Sequence, residues 1–252
     1  MVVEARDLGQ GVRMLVLNRP PANAINRDLS HQLYEQCMAA ADDASVRALI
    51  VTGNGRFFSG GLDLKELAGD GTPLGRLGSA RADGVFALWT LPKPTVAMVN
   101  GHAIAGGAVI ALACDFRITC AGSHKIGLNE VAIGLGFPIG AFEIVCLALG
   151  IPNARRVLLE AKLYDVEAAR ALGIVDDIVN PQELEARCVE LAKKLAAYGS
   201  LAYAHTKKAF QRRALERIQA LSQENAREIA EIAQSEETKA LLRAQLEALS
   251  KK

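Results

Sequence analysis

The fold is limited most by an alternation that runs through most of the chain and then stops. VRMLVLNRP (residues 12–20) and VRALIVTGNG (46–55) are β-branched runs closed by Asn, Pro and Gly, the punctuation of strands. Between them, RDLSHQLYEQCMAAADD sets Leu29, Leu33, Cys37 and Ala40 at helical spacing. The order then returns. KPTVAMVNG (93–101) reads as a strand, GGAVIALACD (106–115) has helical length and composition, and FRITC (116–120) is a strand again. Strand and helix in turn predict an α/β fold. From about Pro181 the strand signals cease, and ELEARCVELAKKLAA, LAYAHTKKAFQRR, ERIQALSQENAREIAEIA and KALLRAQLEALSKK read as successive helices. The spacing divides the 252 residues into a core, 1–195, large enough to bury substantial apolar surface, and a helical region, 196–252. In the last helix Leu242, Leu246 and Leu249 share one face, which is expected to pack on the chain's own core or on a neighbouring subunit. GDGTPLGRLGS (69–79) interrupts the pattern and reads as a mobile loop.

Charge and cysteine content exclude several classes. The 29 Lys and Arg against 28 Asp and Glu leave a formal net charge of +1, so no global field recruits nucleic acid or an acidic membrane. An anionic ligand needs a local site. The five cysteines, Cys37, Cys114, Cys120, Cys146 and Cys188, form no C-x-x-C pair and read as reduced, buried thiols. The first twenty residues carry acidic side chains where a signal peptide has a basic and then an apolar segment, and no apolar run approaches the roughly 18 residues of a membrane span. The expectation is a soluble, cytoplasmic protein with no nucleic-acid, membrane or metal partner.

Two glycine pairs carry the chemistry. In FFSGGLDLKEL (57–67), Gly60 and Gly61 stand between a strand-like run and Leu62, Asp63 and the start of a helix. A dinucleotide reading of VTGNG fails because the third glycine of G-x-G-x-x-G falls on Phe58 and no helix follows directly. The P-loop, G-x-S-x-G and H-E-x-x-H patterns are absent. In NGHAIAGGAVIALACD, Gly106 and Gly107 open a helix. Helix N-termini leave backbone N–H groups unpaired, and glycine lets another group approach them. Leu62 and Gly106 each offer one N–H, and two convergent donors are what an oxyanion needs. The plainer reading of either pair alone is a tight turn. The presence of both favours the oxyanion reading.

These residues carry a resemblance. RPPANAIN, FSGGLDLKEL, NGHAIAGG, ALACDFRI, IGLNEVAIGL and AARALGIVDDIV occur in the order of the crotonase superfamily, the enoyl-CoA hydratases and isomerases, and the match spans residues 12–179. The resemblance implies a spiral of strand-strand-helix turns, followed by a C-terminal helical region that closes the pocket and builds homotrimers or dimers of trimers. It implies an acyl-CoA thioester of fatty-acid metabolism as substrate, with no cofactor beyond the coenzyme A that the substrate carries. Carried onto this chain, the donors that hold the thioester enolate are Leu62 and Gly106. The implied substrate-binding residues are Ala22, Ala24, Gly60, Gly61, Leu62, Asp63, Leu64, Lys65, Gly106, Gly107 and Val109.

The subtype depends on the acid and base. Family hydratases use two glutamates. At the first position this chain has Val109, and at the second Glu130. A valine moves no proton, but one carboxylate suffices to shift a double bond from C3 to C2. The motif pattern is similar to that of mitochondrial-type Δ3,Δ2-enoyl-CoA isomerases: GLDL (61–64), AGG followed by an apolar residue, and IGLNE with its lone glutamate. LGFPIGAFEIV departs from it and leaves the acyl chain length open. A one-glutamate hydratase, a thioester hydrolase, a decarboxylase and a non-catalytic acyl-CoA-binding protein stay as alternatives. Ile126, Leu128, Val131 and Ile133 around Glu130 are expected to raise its pKa. Asp63 is expected to cap a helix rather than do chemistry, His102 to be structural or to line the pocket rather than move protons, and Glu143 to lie on a solvated face unless its helix faces the pocket, where it would be a second acid. Lys65, Lys207, Lys208, Arg212 and Arg213 are either contacts for CoA phosphates or solvated charge runs.

Overall fold

The computed structural model describes residues 1–69 and 83–250. All but the first residue of the expected mobile loop lies outside them. β1 (Val3–Asp7) and β2 (Val12–Leu17) form an antiparallel hairpin, and α1 (Arg27–Asp42) then crosses to β3 (Ala48–Gly53), parallel to β2. The Asn26 side chain caps α1 by accepting from the Leu29 N–H, and the predicted stripe of Leu29, Leu33, Cys37 and Ala40 is buried throughout.

Three turns of the chain repeat one plan. β3 is followed by β4 (Phe57–Ser59), α2 (Leu64–Gly69) and α3 (Gly84–Thr90). β5 (Thr95–Val99), β6 (His102–Ile104) and α4 (Gly106–Leu112) make the next turn. β7 (Phe116–Cys120), β8 (Ile126–Gly127) and α5 (Ile139–Glu160) make the third. β9 (Leu163–Tyr164), α6 (Val166–Ala171) and β10 (Asp177–Val179) complete the core. The first strand of each turn enters a sheet of order β1-β2-β3-β5-β7-β10, and the second enters a smaller sheet of order β4-β6-β8-β9. Successive turns are parallel neighbours in both sheets, which makes the chain a spiral of the expected α/β, crotonase-like class. α5 is two helices meeting at Gly150, whose φ of 69° breaks the ladder just before Pro152.

The C-terminal helices pack back on this spiral. α7 (Leu184–Ala196) sets Leu184, Cys188, Ala192 and Leu195 against Met14, Ile50, Met98 and Ile118 of the larger sheet. α8 (Ser200–Gln234) is one helix of 35 residues where the sequence suggested two, because no Gly or Pro interrupts it. A buried polar knot fixes it to the core. Lys207 Nζ lies 3.0 Å from Asp115 Oδ2 and 3.2 Å from the Lys93 carbonyl, and the Tyr203 hydroxyl donates to the same carboxylate at 3.0 Å. Lys207 therefore corrects the expectation of a phosphate contact: its charge is spent holding the helix. α9 (Glu236–Ser250) follows Ser235, and Leu242 packs on a cluster of Ile133, Leu135 and Ile229 together with Leu62 and Leu64.

The segment between β2 and α1 is clamped to β4 by one residue. Asn23, 1% exposed and at φ 49°, accepts from the Arg19 N–H at 3.0 Å and donates to the carbonyls of Phe57 (2.8 Å) and Asn54 (3.0 Å). Asn23→Ala leaves these buried groups unmet, so urea denaturation is expected to show a loss of about 2–3 kcal/mol. A change within about 0.5 kcal/mol, ordinary for a surface position, would mean that the clamp adds nothing.

Candidate active site

The site begins where a strand pairing is cut short. Past Ser59 the Gly60 N–H donates to the Ala22 carbonyl (2.8 Å), the Ile25 N–H to Gly61 O (2.7 Å), and the Asp63 N–H to Ile25 O (2.9 Å). This bridge uses the Gly61 carbonyl and the Asp63 N–H on either side of Leu62 and turns the Leu62 N–H the other way. Opposite it, β6 ends, the Ala105 N–H donates to Gly127 O at 2.8 Å, and α4 opens at Gly106. Among the described residues neither the Leu62 nor the Gly106 N–H has an acceptor. The two lie together: a Cβ placed on Gly106 would stand 3.7 Å from the Leu62 nitrogen. Gly61 is glycine for two reasons. Its φ is +87°, and a Cβ there would meet Ile104 O at 2.7 Å and the Gly106 nitrogen at 3.2 Å. Ala105 takes up strain in the same turn, at φ 53° and ψ −127°.

Asp63 caps α2, accepting from the N–H groups of Lys65 (3.0 Å) and Glu66 (3.3 Å), and pairs with Arg19 at 2.6 Å. Burial pushes its pKa up, but Arg19 and the two N–H groups outweigh that and hold it below the usual carboxylate range. The expected capping role is the one observed.

A cavity of about 1460 Å³ opens beside these groups. Ala22, Ala24, Gly60, Leu62, Asp63, Leu64, Lys65, Gly106, Val109 and Glu130 line it. Gly61 and Gly107, also expected to border substrate, are not among the lining residues: Gly61 backs onto Ile104 and Ala105, and Gly107 onto Ser59. Val85, Phe86, Leu135, Phe137 and Ile144 give an apolar wall, and Ile218, Ile229, Leu246 and Leu249 of α8 and α9 roof it. Arg19, Arg56, Lys65 and Lys125 also border the cavity. Of these cations the sequence pointed only to Lys65. Lys208, Arg212 and Arg213 are exposed on α8 and do not reach it.

Glu130 follows β8 at the start of a short 3₁₀ turn, is 7% exposed, and its Oε2 has no hydrogen-bond partner among the described residues. Burial pushes its pKa up to about 7, against a weaker pull from its own backbone N–H. Val109, 4% exposed, adds no polar group to the wall. His102 lies against the Phe57 ring, with centroids 5.0 Å apart, and its Nδ1 accepts from the Lys125 N–H at 3.0 Å. Burial, Arg56 and Lys125 all lower its pKa, so it lines the pocket as a neutral ring. Glu143 corrects the expectation of a solvated face. It is 7% exposed, pairs with Arg217 at 2.8 Å, and does not border this cavity.

Sequence reasoning missed Asp83. It borders the cavity and caps α3 through the N–H groups of Val85 (2.9 Å) and Phe86 (3.3 Å), and burial raises its pKa to about 6. A capping aspartate before a helix was legible, but its place in the cavity was not. Among the described residues no group of three or more His, Cys, Asp or Glu side chains is arranged to hold a metal ion, and no helix is long and apolar enough to cross a membrane.

Residues 7–251 match the sequence profile of the enoyl-CoA hydratase/isomerase family. The chain belongs to that family. The 2,3-dehydroadipyl-CoA hydratase of Escherichia coli is 34% identical over 203 residues, 79% of this chain and 78% of the relative. A probable enoyl-CoA hydratase of Mycobacterium avium is 33% identical over 189 residues, 73% of this chain and 72% of the relative. The crystal structure of human mitochondrial Δ3-Δ2-enoyl-CoA isomerase superposes with a TM-score of 0.92 at 25% identity, covering 100% of this chain and 99% of that one. The first two carry hydratase names and the third an isomerase name.

For this member of the enoyl-CoA hydratase/isomerase family, the raised pKa of Glu130 ties the site to stability. Between the usual 4.5 and about 7 the folded chain keeps a proton that the unfolded chain has released. The stability contributed by the neutral carboxyl is therefore complete below pH 4.5 and is lost as pH rises through about 7. Glu130→Gln cannot ionise, and at pH 8 it is expected to be more stable than wild type by roughly 3 kcal/mol, with no comparable gain at pH 4. Urea denaturation at the two pH values checks this. An equal gain at both would show that ionisation is not its source.

Proposed function

We propose that the protein shifts a double bond from C3 to C2 of an enoyl-CoA thioester, with Glu130 as the single proton shuttle. The observation that carries this reading is the buried Glu130 carboxyl, of raised pKa and with Oε2 free of partners among the described residues, in the same cavity as two free peptide N–H groups, with valine at residue 109; Asp83, the other buried carboxyl of raised pKa there, is taken up in capping α3. The likeness to the human isomerase along the whole chain supports it, and the acyl-CoA class comes from the names of the relatives.

The thioester oxygen accepts from the Leu62 and Gly106 N–H groups. Glu130 removes a proton from C2, the electrons of that C–H bond move into the thioester, and the resulting dienolate is held by the two donors. Protonated Glu130 then delivers the same proton to C4. One C–H bond breaks, one forms, the double bond moves by one position, and nothing else is consumed. A carboxyl with a pKa of about 7 suits both halves, because it is neither too weak to take the proton nor too reluctant to return it. Each N–H acts on charge that develops during the reaction, which is worth about 2.7–4 kcal/mol for one such donor. Arg56, Lys65 and Lys125 are the cations available to the CoA phosphates, and the apolar wall and the roof of α8 and α9 take the acyl chain.

The test is to supply a 3-enoyl-CoA and identify the 2-enoyl product by absorbance and unchanged mass. Glu130→Gln is expected to lower kcat by about 10²–10⁴-fold or more while acyl-CoA still binds. Gly106→Val is expected to be harmful as well, since its side chain would crowd the Leu62 nitrogen and the Ile25 side chain. Turnover near the wild-type rate in folded Glu130→Gln would refute the assignment.

A further inference from the structure

Capping α3 uses only one oxygen of Asp83. Oδ1 accepts from both the Val85 and the Phe86 N–H, and Oδ2 has no hydrogen-bond or ionic partner among the described residues. Ser30 of α1 faces the same turn. Its Oγ accepts from the Gly84 N–H at 3.3 Å, and its hydroxyl hydrogen has no acceptor among the described residues. Both side chains line the cavity, and Ser30 is 7% exposed. The N–H groups that open α3 are thus already met, and what faces the cavity is one unused acceptor and one unused donor beside the apolar Val85 and Phe86.

The cap alone does not account for an acid at this place. Asn or Ser caps a helix as well as Asp does, whereas burial here raises the carboxyl to about 6. Only the N–H groups of Val85 and Phe86 oppose that rise, so no cation of the cavity is close enough to pair with Asp83, and neither it nor Glu130 acts on the other. Asp83 therefore stands apart from the proton shuttle and from Arg19, Arg56, Lys65 and Lys125, on the side left to the acyl chain. A plain hydrocarbon chain would strand its carboxylate against apolar groups. A carboxylate on the chain would be repelled, and an ammonium has no lone pair for the Ser30 hydrogen. A hydroxyl both donates and accepts at one atom.

We propose that Ser30 and Asp83 form a subsite for a hydroxyl group on the acyl chain, so that the enzyme takes hydroxylated acyl-CoA thioesters in preference to plain ones. This rests on the acyl-thioester reading of the cavity, but not on which reaction Glu130 carries out. The substrate hydroxyl donates to Asp83 Oδ2 and accepts from the Ser30 hydroxyl, while Oδ1 goes on capping α3. The two residues bind and select substrate and move no proton of the reaction.

The test is isothermal titration calorimetry of the whole protein with saturated acyl-CoAs of increasing chain length, each with and without a terminal hydroxyl, and with a terminal ammonium for comparison. Saturated ligands need no turnover. At the chain length that reaches the subsite, the hydroxylated form is expected to bind wild type about tenfold or more tightly than the plain chain, as suits a hydrogen bond to a charged group. Asp83→Asn keeps an oxygen for the cap but turns the unused acceptor into a donor, and there the ratio is expected to fall toward one. In Ser30→Ala it is expected to fall by less. A general disturbance of the fold would weaken both ligands and leave their ratio. A wild type that binds both forms equally at every length overturns the inference whether or not the variants fold, and leaves the isomerase assignment standing. An unchanged ratio in folded Asp83→Asn overturns it too, as does an ammonium that binds more tightly than the hydroxyl. If no acyl-CoA binds, the acyl-thioester reading fails and this inference falls with it. Isomerisation is read separately from a 3-enoyl-CoA, so a chain that prefers the hydroxyl without isomerising supports the subsite while refuting the isomerase assignment.

Discussion

The site depends on a strand pairing that ends one residue too soon. Ile25 bonds to Gly61 and Asp63 but leaves the N–H between them pointing away, and the next turn of the spiral brings the free first N–H of α4 beside it. Neither donor is made by a side chain. Both are by-products of how two turns of one spiral stack, which is why the positions are tolerant of chemistry but not of volume. Gly61 can carry no Cβ because the backbone of Ile104 and Gly106 occupies the space, and a Cβ on Gly106 would stand 3.7 Å from the Leu62 nitrogen, in the place that the proposed reading gives to the thioester oxygen. Asn23, bonded to Arg19, Asn54 and Phe57, holds the two segments in that relation from behind.

On the proposed reading, the carboxyl that shares the cavity with this pair works by being buried. An ordinary glutamate is ionised far below neutral pH and returns a proton poorly, whereas burial lifts Glu130 to about 7. The same burial costs the fold stability at neutral pH, where part of the population carries an unpaired charge in an apolar wall. The roof contributes to this. α8 is tied to the core by Lys207, Asp115 and Tyr203, and it carries Ile218 and Ile229 over the cavity; α9 adds Leu246 and Leu249. A polar knot far from the chemistry thus helps keep the medium around Glu130 apolar.

Much of this was legible in the sequence where a pattern was long or a residue type rare. The buried stripe of α1 has sixteen residues in which to show its period, and the core strands of the larger sheet are continuous apolar runs. The glycine pairs stood out because positive φ and close backbone approach leave few other choices. β4 showed only as a strand-like run before Gly60, and β6, β8 and β9 were not legible, since strands of two or three residues have no period to read. Lys207 and Glu143 were misjudged for one reason: their partners lie 92 and 74 residues away, and nothing local announces a buried ion pair. Asp83, Arg56, Lys125 and Asn129 join the cavity only when separate turns of the spiral come together. Gly61 and Gly107 were named through the family resemblance, and here they make room for backbone behind the cavity wall.

The central claim is that Glu130 takes the proton next to a thioester carbonyl whose oxygen is held by two peptide N–H groups. It is tested most directly by hydrogen exchange at C2 of a saturated acyl-CoA in heavy water, which needs proton abstraction and enolate stabilisation but no double bond. The account predicts enzyme-dependent deuterium uptake at C2 that rises with pH to a plateau, with a midpoint near 7, and that disappears in Glu130→Gln. Uptake that persists in the variant, or a midpoint near the usual 4.5, would contradict it.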